Sequence, residues 1–235
     1  VLIDRGPSRE LGAYARAVDC ETGETVVAWE QDGDVYQRRA FVSGPAGVAV
    51  SCVESPTGAK IDATFRLAEL ARDKKKRPKY DPDNVIGRVA IAAEADWLTY
   101  SARFKAGWPN ALQGVAAVAR VIATGGREDV KEDVISVTGA DRILVLVDVD
   151  VFWKWPDDGP GHLKPELERV PCDFDQLLNE HAAVHGQMFR RAQLDLGAES
   201  DRCLSAEALQ GSSEVGALNP ALVAKLFDAA RYNII

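Results

Sequence analysis

Hydrophobic and polar residues alternate along most of the sequence up to residue 150, which is the pattern of half-buried β-strands. Asp32-Gly33 separates two such stretches, and an Asp-Gly dipeptide at that place predicts a tight hairpin. The alternating or apolar stretches predicted as strands are 24–31, 35–43, 47–55, 60–68, 85–95, 97–104, 113–123, 133–139 and 142–151. Because no helical pattern lies between them, the sequence favours an antiparallel β-sandwich over a parallel α/β sheet.

Beyond residue 150 the spacing of the apolar residues becomes helical. Residues 155–171 are rich in Pro and Gly and are predicted to form a connector. Asp173, followed three residues later by Gln176, predicts a capping box and a helix running to about Arg191. Ser205 is a candidate N-cap for a short helix after that.

A last helix is predicted from its own start signals. Asn219 is a typical N-cap, and Pro220 suits the first helical position because its missing N–H is not needed there. The residues that follow at helical spacing form an apolar stripe: Leu222, Val223, Leu226, Phe227 and Ala230. No Gly or cluster of basic residues follows, so we expect the helix to run on beyond Ile235.

Composition and charge limit the classes of partner. The 235 residues are 46% hydrophobic and 27% charged, with a net charge of −8. This negative charge argues against a nucleic-acid partner, which requires a basic surface. No apolar run reaches the ~20 residues of a membrane-spanning helix. Neutral small molecules or sugars suit such a chain better.

The four cysteines are scattered and form no Cys-x-x-Cys pair. They are predicted to be small core residues, with one or two disulfides as the alternative, and a zinc site is not expected. They are Cys20, Cys52, Cys172 and Cys203.

A basic run, residues 74–77, lies within a Pro-containing segment. It could bind an anion, but a solvated loop between strands is the favoured interpretation.

His181 and His185 lie four residues apart on one face of the predicted long helix, a spacing that two metal ligands can use. The zinc-protease motif needs a Glu directly after the first His, and Ala182 stands there instead. Both histidines also lie on the apolar stripe of the helix. Packing is therefore favoured over a metal-dependent enzyme, and neither a metal nor a cofactor is expected.

Two aromatic and two acidic residues near the end of the last strand are further candidates. Trp153 and Trp155 could stack on sugar rings if both faced the same way in an extended segment. The favoured alternative is that they anchor the junction between strands and helices. Asp148 and Asp150 share one face of the strand, and glycoside hydrolysis uses a carboxylate pair, but nothing in the sequence sets their separation.

Four segments, in this order, resemble stretches of glycoside hydrolase family 95 proteins. The first resembles a Tyr-x-Arg-x-Leu-Asp-Leu-x-Thr-Gly stretch with a following strand, through Tyr14, Arg16, Asp19, Thr22, Gly23, Arg38 or Arg39, Phe41 and Ser43. The second is similar to a strand pair, through Val137, Gly139, Ala140 and Asp141. The third resembles the linker helix, through His181, Phe189, Arg190, Leu194, Leu196 and Gly197. The fourth resembles the first barrel helix, through Leu226, Phe227, Arg231 and Tyr232.

The resemblance implies an α-L-fucosidase, or a related α-L-galactosidase, whose β-sandwich and helical linker precede an (α/α)6 catalytic barrel. Residues 1–155 would form most of a β-sandwich of the super-sandwich type, 156–218 the linker and 219–235 the first helix of a truncated barrel. Such enzymes invert the anomeric centre with an acid and a base. Both lie in the barrel, so the resemblance implies no catalytic residue in this chain.

The sequence is therefore interpreted as the N-terminal fragment of an inverting glycosidase, inactive alone, that supports a catalytic barrel. Its expected partners are the rest of its own polypeptide and, through the barrel, an oligosaccharide. The resemblance also suggests a secreted or periplasmic protein. The alternative is a stand-alone carbohydrate-binding β-sandwich module that uses Trp153 and Trp155.

Overall fold

The computed structural model describes residues 2–4, 11–68, 85–105, 110–157, 159–197, 199–212 and 219–235. Within these ranges, strands occupy the first two thirds of the chain and helices the last third. The strands are Leu2–Asp4 (β1), Leu11–Asp19 (β2), Glu24–Gln31 (β3), Asp34–Ser43 (β4), Val48–Glu54 (β5), Ile61–Arg66 (β6), Ile86–Glu94 (β7), Trp97–Phe104 (β8), Gly114–Thr124 (β9), Arg127–Lys131 (β10), Val134–Ala140 (β11) and Arg142–Phe152 (β12). The α-helices are Leu163–Glu168 (α1), Phe174–Phe189 (α2), Ala206–Ser212 (α3) and Pro220–Tyr232 (α4).

Two antiparallel sheets are built from these strands. The larger has the order β2-β3-β4-β5-β12-β9-β8-β7, and the smaller has the order β1-β6-β11-β10. Every pairing within the described residues is antiparallel. The prediction of a mainly β, antiparallel sandwich is confirmed at this level.

The hairpin between β3 and β4 forms where the Asp-Gly pair predicted it. Asp32 and Gly33 both have positive φ angles, 54° and 86°. A two-residue turn of this kind matches the twist of the flanking strands, and Gly and Asp tolerate the left-handed region better than most residues. The hairpin therefore fixes the register in which Gln31 faces Asp34 and Trp29 faces Tyr36.

Both faces of the larger sheet are covered near its centre, which places β12 at the middle of the protein. Ile143 and Val145 face the smaller sheet, whereas Leu144 and Leu146 face the helices. These four residues are at most 5% exposed. Burial on both faces explains why β12 begins as a continuous apolar run and not as an alternating one.

The helix starts follow the capping signals. The Asp173 carboxylate accepts from the backbone N–H groups of Asp175 and Gln176, both at 3.0 Å. Ser205 Oγ accepts from Ala208 N at 3.1 Å, as predicted for the short helix α3. The Gln176 amide donates to Glu180 instead of reaching back, so only half of the capping box forms.

Helix α4 begins as predicted, with the side chain of Asn219 accepting from two backbone N–H groups. Near its end, the Arg231 guanidinium donates to the carbonyls of Met188 and Phe189, at 3.1 and 2.8 Å. Both carbonyls lie in the last turn of α2, where the Met188 carbonyl also accepts from Arg191 N at 3.3 Å. Of the predicted apolar stripe, Leu226 is 61% exposed. A single helix packed in this way does not establish the start of a barrel.

The four cysteines follow the prediction only in part. The described structure contains four free thiols, of which Cys52 is buried, Cys20 is half-buried, and Cys172 and Cys203 are exposed. The core prediction therefore holds for Cys52 alone.

The basic run at 74–77 lies outside the described residues. No helix among the described residues is long and apolar enough to cross a membrane.

Candidate functional site

The two tryptophans proposed as a sugar platform lie in different surroundings. β12 ends at Phe152, and a bend follows, so the residues no longer alternate as in a strand. Trp155 packs edge-on against Phe152, with 5.3 Å between ring centroids, and Arg103 lies 5.2 Å from its ring centre. Trp153, in contrast, is 66% exposed. Trp155 therefore contributes to the packing of the junction, and most of Trp153 is open to solvent.

The acidic residues of β12 meet the turn that precedes α1. Asp150 lies 3.7 Å from the His162 ring nitrogen Nε2. Burial raises the pKa of the Asp148 carboxyl, and the nearby charges of Glu166 and Asp150 raise it further. These contacts join the strand to the helical segment.

His181 and His185, on helix α2, reach two different hairpin turns of the larger sheet. His181 Nδ1 lies 3.4 Å from the backbone N of Gly44, in the turn between β4 and β5. His185 Nε2 lies 2.9 Å from the carbonyl oxygen of Cys20, in the turn between β2 and β3. The rings lie in contact, with centroids 5.1 Å apart. The two histidines therefore pack against the larger sheet through hydrogen bonds to two of its turns.

Aromatic rings surround the histidine pair on both sides. Phe41 stacks on His181 with 5.5 Å between centroids. Phe189 stacks on His185, and Tyr232 of α4 meets the same ring edge-on at 5.8 Å. No group of three or more His, Cys, Asp or Glu side chains suited to a metal ion occurs in the described part of the chain.

A cavity of about 450 Å³ opens at this junction of sheet and helices. Its walls include both histidines, the turn residues Gly23 and Gly44, and Tyr232. A second cavity, of about 430 Å³, is lined by residues of β3, β4, β5 and β12 and shares the walls Val42 and Tyr232 with the first. We call the two together the junction groove.

The second cavity has an apolar floor with polar groups at its side. Arg38, Thr25 and Ser51 line it together with alanines and valines of β4, β5 and β12. The Ser51 hydroxyl oxygen is buried, and no other described residue hydrogen-bonds to it. Sequence reasoning did not single out Tyr232 or Ser51 as part of one site, because nothing in the sequence says that the end of α4 meets β4.

The chemistry available in the junction groove is limited. None of the described residues that line its two cavities is Asp or Glu. Glycoside hydrolysis requires two carboxyl groups across the scissile bond. The groove can therefore contact a ligand or another segment, and its described walls carry no carboxyl group for that reaction.

Comparison with known proteins identifies the domain. Residues 1–151 match the family described as "Glycosyl hydrolase family 65, N-terminal domain". The chain belongs to this family. None of the curated proteins matches the sequence.

The fold of this family-65 N-terminal domain also resembles a solved structure. That structure is described as a putative kojibiose phosphorylase from human microbiome, with a TM-score of 0.53 and 12% sequence identity. The likeness covers 82% of this chain and 27% of that chain. The chain thus spans about a quarter of the length of the structure it resembles.

The match is to family 65 and not specifically to family 95, so the finer family prediction was not supported. The residues that carry the family-95 resemblance explain this outcome. Asp19 Oδ1 accepts from Glu21 N and Thr22 N, and Thr22 Oγ1 accepts from Glu24 N. Gly23 adopts a φ of 74° in the same turn. These residues shape a hairpin, so they mark a type of domain and carry no information about the sugar.

Proposed function

We propose that this chain is the non-catalytic N-terminal domain of a longer glycoside-active enzyme, and that it supports a catalytic domain in the same polypeptide. The observation that carries the proposal is the family match over residues 1–151. The 27% share of the longer phosphorylase structure supports it as well. The absence of carboxylates from the described walls of the junction groove agrees with a supporting role.

The supporting role is mechanical, and α2 is central to it. Phe174, Leu177 and Leu178 of α2 are buried against the larger sheet. At the start of the helix, Arg39 of β4 forms ion pairs with both Glu24 and Asp175. At its end, Arg190 pairs with Glu21 of the β2–β3 turn. Contacts at both ends and along one side hold α2 against the larger sheet. The elements that follow α2 are therefore positioned relative to the sheet.

The substrate class we propose is an α-linked sugar. The resemblance to family 95 favours an α-L-fucoside, and the name of the structural neighbour favours kojibiose. Both would be cleaved by residues outside residues 1–235, without a metal cofactor supplied by this domain. A secreted or periplasmic location is part of the proposal and rests on the family-95 resemblance alone.

The coding sequence on both sides of this chain tests the proposal. We expect the reading frame to continue past Ile235 into several hundred residues with a helical pattern. The longer polypeptide should then be assayed for hydrolysis of an α-L-fucoside and for hydrolysis and phosphorolysis of kojibiose. Turnover of one substrate identifies the sugar. A reading frame that holds only these 235 residues would contradict the proposal.

The second candidate function is a carbohydrate-binding module, which the 66% exposure of Trp153 favours. Under this alternative, oligosaccharides should quench tryptophan fluorescence, and the effect should be lost in Trp153→Ala. Tyr14→Ala is the matched control, because Tyr14 is an equally exposed aromatic residue on the edge strand β2. No quenching at millimolar sugar, or equal loss in both variants, would remove the candidate.

A further inference from the structure

The histidine pair of α2 connects the helix to the sandwich through hydrogen bonds of opposite direction. His185 Nε2 faces a carbonyl oxygen, so this nitrogen must carry a proton and donate. His181 Nδ1 faces the backbone N–H of Gly44, so this nitrogen must be unprotonated and accept. Only a neutral His181 ring can make its contact.

The described surroundings of His181 supply no carboxylate that would balance a positive charge on its ring. The ring is 9% exposed and lies between Phe41 and His185. Gly23 packs against its other edge, where an added Cβ would lie 2.7 Å from Nε2. No described carboxylate lies within ion-pair distance of either histidine of the pair; among the three histidines, only His162 has such a neighbour.

Charged groups on the neighbouring elements are already engaged or lie further away. In the β2–β3 turn, the Asp19 carboxylate accepts two backbone N–H groups, and Glu21 pairs with Arg190 of α2. On β4, Arg39 pairs with Glu24 and Asp175, and Arg38 lines the opposite face of the sheet.

Helix α4 and the remaining turn complete these surroundings. Arg231 donates to the carbonyls at the end of α2, and Lys225 and Asp228 lie within electrostatic range of Cys20. Tyr232 meets His185 edge-on. The β4–β5 turn, residues 44–47, contains no titratable side chain.

We propose that His181 is a pH-sensitive latch between α2 and the β4–β5 turn. Neutral His181 accepts the Gly44 N–H and keeps α2 closed on the sheet. Protonation removes the acceptor and places a positive charge beside His185 in an apolar slot, so α2 loosens from the turn. The inference rests on the contacts of this domain and holds whether or not the domain belongs to a longer enzyme.

The sign of the effect follows from burial. Desolvation lowers the pKa of His181 below its ordinary value near 6.5, and the neighbouring His185 lowers it further. The opened or unfolded state therefore binds the proton first as the pH falls. The contribution of the latch is complete above about pH 6.5 and declines as the pH drops below that value.

Hydrogen exchange of the Gly44 amide measures the latch directly. In the wild-type chain, we expect its protection, corrected for intrinsic exchange, to fall by up to about 25-fold between pH 7 and pH 5, the limit for one proton. His181→Asn should remove this pH dependence, because the Asn oxygen can accept near the Nδ1 position and does not titrate. His185→Gln is the matched control and should retain it.

A second measurement needs no variant. The His181 ring protons should titrate in the NMR spectrum with a midpoint below 6.5, together with the shift of the Gly44 amide. Two results would overturn the latch. One is a His181 midpoint at or above 6.5, and the other is an equal acid-induced loss of Gly44 protection in wild type and His181→Asn.

Discussion

At the scale of single residues, a glycine and a histidine explain how helix and sheet fit together. Gly23 has a φ of 74° and leaves the space that His181 Nε2 occupies. The sequence favoured a packed histidine at 181, but it could not show that Gly23 and His181 touch. They are separated by more than 150 positions, and only the path of α2 across the sheet brings them together.

Gly23 and Gly33 both adopt positive φ angles, but only Gly23 packs against a buried side chain. Gly33→Ala should cost about 1–2 kcal/mol, because Gly33 has a φ of 86° but nothing lies within 4 Å of an added Cβ. Gly23→Ala should cost more, about 2–5 kcal/mol, because the new methyl group also meets the buried His181 ring. Urea unfolding with unchanged m-values measures both free energies. Equal losses in the two variants would contradict the close contact.

At the scale of elements, the sequence predicted some strands with their observed bounds and missed others. β3 and β8 were predicted with their observed bounds, since turn residues and apolar positions mark both. β1, β2 and β10 were missed. All five residues of β10 and residues 12–19 of β2 are exposed, so neither strand carries an alternating pattern. Helix α1 was also missed, because the Pro and Gly residues around it indicate a connector.

Burial of one side of α2 against the larger sheet stabilises the folded protein. Leu177 is fully buried between the helix and the larger sheet, and Leu177→Ala should destabilise the protein by about 2–5 kcal/mol. Val184, on the same helix, is 49% exposed, and Val184→Ala should change the free energy of unfolding by no more than about 0.5 kcal/mol. Thermal or urea unfolding separates the two variants. Similar effects would mean that α2 is not seated as described.

At the scale of the whole molecule, the order of parts was predictable and the identity of the sugar was not. Strands followed by helices, with Asn219 starting the last helix, could be predicted because caps and hydrophobic periodicity are local signals. The family membership rests on the fold-forming segments within residues 1–151. Those segments make turns and core contacts, which is why they indicated a glycosidase domain but did not specify family 65.

Only part of the candidate site could be predicted from local sequence patterns. Trp153 and Trp155 were paired by their spacing, but the bend after Phe152 gives them different surroundings. The junction groove joins residues from β4, α2 and α4, which no local pattern connects. The described walls of the groove contain no Asp or Glu. We propose that this domain supports a catalytic domain and is not itself the catalyst.

Turnover by the purified 235-residue chain tests that claim most directly. The chain should be incubated with a chromogenic α-L-fucoside, and with kojibiose in the presence and absence of inorganic phosphate, while released sugar is measured. We expect no release above that of a heat-denatured sample. Steady turnover of either substrate at a rate typical of enzymes, on the order of 1 per second or faster, would contradict it.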